Sequence, residues 1–132
     1  MVYGEQRGAA VADYDQDGRA DLVITQNAAE TRLFRNATGK PGLRVRLEGP
    51  PGNPEAIGAS IRLGTDQRLG AARELHAGSG YWSQDSAVAV MHHAEKPTHV
   101  MVHWPGGKTT QTEIRGAGAM AIDLNGIAKQ PR

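Results

Sequence analysis

The sequence contains no cysteine, and this absence excludes disulfide bridges, thiol catalysis and cysteine-based zinc sites. Aromatic residues are scarce as well, with two tryptophans, three tyrosines and one phenylalanine. No apolar run is long enough to cross a bilayer, so we expect no membrane insertion. Residues 1–5 do not predict a signal peptide.

An excess of charge of either sign is likewise lacking. Lysine and arginine number 15 against 14 aspartates and glutamates, and the basic residues are scattered. We therefore expect neither nucleic acid nor an anionic membrane as a partner. What the chain does have is 17 glycines, 7 prolines and a hydrophobic share of 39% in 132 residues. This composition predicts one ordinary domain, or a small domain with an appendage, built from short strands and turns.

Acidic residues are concentrated in residues 13–21. Four aspartates occupy the first, third, fifth and ninth positions of this loop: Asp13, Asp15, Asp17 and Asp21. A loop that wraps around an ion presents alternate side chains to it, and oxygens are the ligands that Ca2+ prefers. Gly18 permits a sharp turn, after which the carbonyl of Arg19 can face the ion. Repulsion among the acids, which the loop offsets only with Arg19, also favours a bound divalent cation.

The loop differs from an EF-hand. An EF-hand needs a bidentate glutamate at its twelfth position, where this chain has Ile24, and it needs helices on both sides. The flanks here, residues 9–12 and 22–25, are short and predict strands. The alternative is an aspartate-rich turn without metal, since aspartate is common in turns through its own backbone hydrogen bonds.

Residues 7–22, with the acidic loop inside them, resemble the calcium-binding repeat of FG-GAP or VCBS type, which is one blade of a β-propeller. The resemblance implies a calcium-binding β unit over residues 1–38, although Tyr3 stands where the family usually has phenylalanine. A propeller needs about four to eight blades to close, whereas this chain carries one copy. A lone blade has open edges. Three outcomes follow: more blades in a longer protein, packing on the next domain, or a homo-oligomer through β edges.

The linker at residues 38–42 precedes a second domain, predicted over residues 42–125. Leu43, Val45 and Leu47 alternate with charged residues that we expect in water, and short strands follow at regular spacing, one of them over residues 69–77. The whole pattern predicts an all-β protein, with a single propeller-blade-like β unit and a small β-sandwich or barrel-like domain. Residues 126–132 are expected to form a flexible tail.

Five segments of the second domain resemble the ASPIC/UnbV domain in their order and spacing: residues 45–47, 56–59, 73–75, 77–84 and 104–108. In that family the domain follows calcium-binding propeller repeats in extracellular proteins and in bacterial relatives. The resemblance therefore implies an extracellular or periplasmic location. It implies no biochemical activity, so it informs the fold more than the function.

Two adjacent aromatic residues, Tyr81 and Trp82, lie on a polar, glycine-flanked loop. Aromatic faces on such a loop can stack on sugar rings, while Gln84 and Asp85 hydrogen-bond to hydroxyl groups. We take these four residues as candidate ligand-binding residues for a carbohydrate or a protein. The alternative is a structural turn in which one of the two rings fills the core.

The histidines do not predict a metal site. His99 and His103 share the solvent-facing side of an amphipathic strand whose other side is apolar. His92 and His93 are adjacent, so in an extended chain their side chains point to opposite sides.

The sequence as a whole predicts a non-catalytic, calcium-binding, extracellular-type binding or adhesion module. One alternative is a structural oligomerisation module. Another is a polysaccharide hydrolase that uses acids such as Glu55, Glu74 or Asp85, although no spacing pairs two of them.

Overall fold

The computed structural model describes residues 4–116 and 118–130, and within these residues the chain consists of strands and loops without helices. In chain order the strands are β1 (Glu5–Ala12), β2 (Asp21–Asn27), β3 (Ala29–Phe34), β4 (Leu43–Glu48), β5 (Ser60–Gly64), β6 (Arg73–Glu74), β7 (Ala89–Met91), β8 (His99–His103), β9 (Thr109–Glu113), β10 (Ala119–Asp123) and β11 (Ala128–Lys129). The all-β prediction is confirmed. The described part contains no helix that is long and apolar enough to cross a membrane.

The strands form three sheets. The first has the order β1-β2-β3, the second β11-β10-β4-β7 and the third β6-β5-β8-β9. Within the described residues none of the three closes into a barrel, so the sandwich form of the prediction applies and the barrel form does not. Residues 2 and 3, where the first strand was predicted to begin, lie outside the described residues.

One hydrophobic core lies between the second and third sheets. Its fully buried large side chains come from both sheets and the turn after β8: Trp104, Leu47, Ile61, Leu63, Ile122, Val45, Val100 and Val102. The indole Nε1 of Trp104 donates to Thr110 Oγ1 at 2.8 Å, so the largest core residue carries no unpaired polar group. The alternation of β4, β5 and β8 places one face of each strand in this core.

The middle of the second sheet is parallel. Strand β10 pairs with β4 from Ala119↔Arg44 to Asp123↔Glu48, while the other described strand pairs are antiparallel. Three consecutive residues of β10, Met120, Ala121 and Ile122, are buried, so both of its faces are covered. The first and last long strands of the second domain therefore lie side by side.

Two predicted segments need correction. The strand expected over residues 69–77 is reduced to β6, a two-residue edge strand with both residues exposed. The expected flexible tail contains β11, which pairs with β10. Asp123 holds the turn before β11 by accepting the N–H groups of Asn125 at 2.9 Å and Ile127 at 3.0 Å. The bond from Ile127, the bond from Asn125 and the charge of Lys129 together hold the pKa of Asp123 below its ordinary value.

The N-terminal sheet has no apolar core of its own. Between residues 4 and 38 the buried residues are Asp13, Gly18 and Asp21, and every residue of β3 is exposed. The apolar residues of β1 and β2 are only half-buried or exposed. Polar contacts in the acidic loop, and contacts with the second domain, therefore hold this sheet in place.

Candidate metal centre and aromatic loop

The acidic loop connects β1 to β2, and Asp13 organises its backbone. Asp13 Oδ1 accepts the N–H of Asp17 at 3.0 Å, and its Oδ2 accepts the N–H of Gly18 at 2.9 Å. The side chain of Asp13 is 1% exposed. A buried carboxylate that accepts two backbone N–H groups fixes the loop in a closed curve, because an unpaired buried carboxylate is costly.

Position 18 requires glycine because of both its backbone conformation and its surroundings. Its φ is +82°, in the region that residues with a Cβ adopt rarely. A Cβ would also lie 3.1 Å from Pro41 Cβ and 3.2 Å from the carbonyl oxygen of Gly42. This close approach allows the N–H of Gly42 to donate to the carbonyl of Gly18 at 2.8 Å. The loop therefore contacts the segment that leads into β4.

Three of the four predicted carboxylate ligands converge. One oxygen from each of Asp13, Asp15 and Asp21 lies within 4.8 Å of the other two. Asp21 is buried, and its oxygens accept the N–H groups of Asn36 at 2.8 Å and Tyr14 at 3.2 Å. Each ionised carboxylate has about four acceptor positions, so these backbone bonds leave capacity for a cation.

Asp17 lies outside this group of three, and two arginines engage it. Its Oδ2 lies 2.7 Å from Arg19 Nη1 and 3.2 Å from Arg35 Nη2, and its Oδ1 accepts the N–H of Arg19 at 2.9 Å. Desolvation raises the pKa of Asp17. The hydrogen bonds and charge of Arg19 and the charge of Arg35 lower it by more, so the pKa of Asp17 lies below its ordinary value. The roles of Asp17 and of the Arg19 carbonyl as ligands stay predictions.

Arg35 closes the outer side of the loop. It follows β3, and its Nε donates to Asp15 Oδ2 at 2.6 Å. The hydrogen bond that Arg35 donates to Asp15, with the charges of Asp15 and Asp17, raises the pKa of Arg35. Arg35 thus neutralises carboxylates that a cation would use.

Arg44 closes the inner side of the loop and belongs to the second domain. Its Nε lies 2.8 Å from Asp13 Oδ2, with side chains that are 17% and 1% exposed respectively. The contact is ionic without hydrogen-bond geometry, since Nε has no hydrogen-bond partner within the described chain. The prediction that all charges of β4 lie in water is wrong at Arg44, because the N-terminal sheet covers this position.

The side chains that converge in the acidic loop fit a hard cation. All side-chain donors are carboxylate oxygens, which suit Ca2+ and not a soft transition metal. Arg19 is not the only guanidinium that offsets the repulsion among these acids in the described chain. Arg35 and Arg44 also approach the four aspartates, so any bound cation has to compete with these guanidinium groups.

The histidines join no metal-binding group in the described chain. The one cluster there of three or more histidine or acidic ligands is the aspartate group. His92 Nε2 lies 2.8 Å from the carbonyl oxygen of Lys40, and His103 is exposed as predicted. These contacts give the histidines structural or solvent-facing positions.

The aromatic loop projects from the second domain. Tyr81 is 65% exposed and Trp82 is 86% exposed, so neither ring fills the core. Their ring centroids are 6.0 Å apart with an interplanar angle of 49°. The N–H of Ser79 donates to the carbonyl of Ser83 at 3.0 Å and closes the loop beneath the two rings.

The joint action of Gln84 and Asp85 with the two aromatic rings stays a prediction. Gln84 and Asp85 line a pocket of about 280 Å3 together with Glu74 and His76, whereas Tyr81 lines a different cleft. Asp85 Oδ1 accepts the N–H of Val11 at 2.8 Å, so it anchors β1 to the second domain. The N–H of Ser86 adds a second bond, to the Val11 carbonyl at 2.9 Å.

Comparison with known families adds one finding. The family model described as ASPIC and UnbV matches residues 49–120, which is more than half of the 132-residue chain. The match includes the aromatic loop and Asp85 but not the acidic loop or Arg44. No curated protein matches the chain significantly.

Removing the charge of Asp13 tests the connection between the two domains. In Asp13→Asn the amide nitrogen cannot accept a backbone N–H, and Arg44 loses its counter-charge. Breaking a buried ion pair costs on the order of 3 kcal/mol. We therefore expect hydrogen exchange of β1 and β2 amides to accelerate about 100-fold, with β5 and β8 unchanged. The control is Asp66→Asn on an exposed turn, and equal protection in the two variants would contradict this account.

Proposed function

This chain belongs to the ASPIC and UnbV family, and we propose that it works as a non-catalytic, calcium-stabilised binding module of the extracellular or periplasmic type. The observation that carries the proposal is the convergence of Asp13, Asp15 and Asp21 within 4.8 Å at the loop that supports a coreless sheet. The family match supports the β-rich binding-module part. The acidic loop supports the calcium part.

We further propose that the N-terminal sheet is a repeat of the FG-GAP or VCBS type. Three antiparallel strands with an acidic loop between the first two fit that repeat. Calcium, when bound, would supply positive charge at the point where the three carboxylates meet. With Asp13 and Asp21 held close together, β1 stays beside β2 and Gly18 stays against Gly42.

The non-catalytic assignment is supported by the surroundings of the acids outside the loop. Glu55 and Glu74 are exposed, and Glu74 lies 3.6 Å from His76. Asp85 uses one oxygen to anchor Val11. A hydrolase would need two carboxylates held on either side of a substrate, whereas here one of the two pocket acids has a structural bond.

Oligomerisation is a second candidate function, because β3 is a fully exposed edge strand. Leu33 is 46% exposed and Phe34 is 39% exposed on it. Edge pairing or burial of these residues in another copy would form a dimer. We expect a monomer in calcium, because charged Glu30 and Arg32 on β3 oppose edge pairing. Light scattering at increasing concentration decides, and a mass that doubles would favour the oligomer.

Calcium is expected to raise the midpoint of thermal unfolding relative to excess chelator. A ligand that binds only the folded state stabilises it by about 2.7 kcal/mol at 100 times its Kd. Asp15→Asn should lose most of this gain because it removes one ligand charge, whereas Asp66→Asn should keep it. The measurement is a calorimetric melt of all three proteins. Equal midpoints for the unsubstituted chain in calcium and in chelator would refute the calcium proposal.

Arg35→Gln is expected to bind calcium more tightly. The substitution removes a guanidinium that occupies Asp15 and Asp17, so the cation no longer has to displace it. Since exposed pairs are weak, we expect a roughly two- to fivefold lower Kd. Titration calorimetry measures it, with Arg32→Gln as the control on the same strand, where the partner is Glu30. An unchanged or higher Kd in Arg35→Gln would show that Arg35 does not compete.

A further inference from the structure

A shallow cleft runs between the start of β1 and the aromatic loop. It has a volume of about 310 Å3, and its lining comes from both domains: Gln6, Arg7, Gly8 and Ala9 on one side, and Ser79, Gly80, Tyr81 and Ser83 on the other. This size lies at the lower end of the range for small-molecule sites, about 300–1,000 Å3. The cleft is distinct from the acidic loop and from the pocket at Gln84 and Asp85.

Gly8 allows the two walls of the cleft to approach closely. A Cβ at Gly8 would lie 3.1 Å from the carbonyl oxygen of Trp82 and 3.2 Å from that of Tyr81. The strand also has an irregular register between Gln6 and Gly8, which breaks regular pairing with β2 at the cleft. The backbone therefore narrows the cleft at its base while Tyr81 stays exposed at its side.

The lining combines one aromatic face with several polar groups. Tyr81 offers an exposed ring, Gln6 and Ser79 are exposed, and Ser83 is half-buried. Arg7 is 47% exposed and contacts Glu5 through Nη2 at 3.0 Å. That surface ion pair is weak, so the guanidinium can exchange this contact for one with a ligand.

We propose that this cleft binds one sugar ring of an oligosaccharide. A pyranose presents C–H groups on a face, which stack on an aromatic ring, and hydroxyls at its rim, which hydrogen-bond to amide, hydroxyl and guanidinium groups. A protein partner would bury a larger apolar area, with anchors in desolvated pockets, whereas this cleft is open and polar. Trp82, whose ring centroid is 6.0 Å from that of Tyr81, extends the aromatic surface beyond the cleft.

The cleft is complete only when the N-terminal sheet is docked. Gln6 and Arg7 come from β1, which Asp85 and Ser86 anchor at Val11. The inference thus rests on the binding-module function proposed above and assigns its ligand class. It also moves the polar half of the sugar site from Gln84 and Asp85 to Gln6, Arg7, Ser79 and Ser83.

The test is titration calorimetry of the full chain in calcium against cellohexaose, maltohexaose and a hexamer of galacturonic acid. We expect at least one to bind. Tyr81→Ala should weaken that binding tenfold or more, and Arg7→Gln about threefold for a neutral sugar and more for the acidic one. Arg32→Gln is the matched control, because Arg32 is 48% exposed and also contacts a glutamate two residues away. Failure of all three sugars to bind, or equal binding by Tyr81→Ala, would overturn the inference.

Tryptophan fluorescence gives an independent readout. Trp82 is 86% exposed and Trp104 is 1% exposed, so ligand at the cleft should change only the emission of Trp82. In Trp82→Phe the fluorescence change should disappear while calorimetric binding persists. An emission change that survives in Trp82→Phe would place the sugar elsewhere.

The calcium melt separates the two proposals. A calcium-dependent rise of the unfolding midpoint without sugar binding defeats only the cleft proposal. Sugar binding without that rise defeats only the calcium proposal.

Discussion

The buried carboxylate of Asp13 is the charged contact that joins the acidic loop to β4. It accepts two N–H groups of its own loop and lies 2.8 Å from a guanidinium nitrogen of β4. A single buried group thus curves the acidic loop and contacts β4, and the bonds of Val11 to Asp85 and Ser86 add a second attachment. Because the group is charged and almost fully enclosed, its partners cannot be removed one at a time without leaving an unpaired charge.

The N-terminal sheet and the sandwich formed by the second and third sheets are stabilised by different physical means. The second has an apolar core that two sheets enclose, with Trp104, Leu47 and Ile122 among its fully buried residues. The first has buried aspartates where a core would be. Its cohesion therefore depends on ionic conditions, which act weakly on the apolar core. In a binding site built from β1 and the aromatic loop, only the wall formed by β1 would depend on ionic conditions.

The local pattern of the sequence predicted much of the fold, and the long-range contacts account for most of what it missed. Alternation along residues 43–47 correctly predicted the burial of Val45 and Leu47, because period-two burial is a local property. The parallel neighbour of β4 was not predictable, since pairing between distant strands leaves no mark in either strand. The same reason explains Arg44: its position in the alternation predicts exposure, and only the docked sheet buries it.

The acidic loop was recognisable from spacing, whereas its arginine partners come from β4 and from the residue after β3. The ligand-binding role of Tyr81 and Trp82 stays a prediction, and the cleft at Tyr81 takes Gln6 and Arg7 from β1, which is far away in sequence.

The parallel pairing of β4 with β10 has a consequence for how the chain assembles. Every pair in the N-terminal sheet joins consecutive strands, so those contacts can form as soon as the strands exist. The central pair of the second sheet instead joins the first and last long strands of its domain. Closing so long a loop is entropically slow, and high contact order delays folding. On a ribosome, the edge of β4 that pairs with β10 stays open until residues 119–123 have emerged, so the second sheet gains its central pair only after every strand of the third sheet has been made.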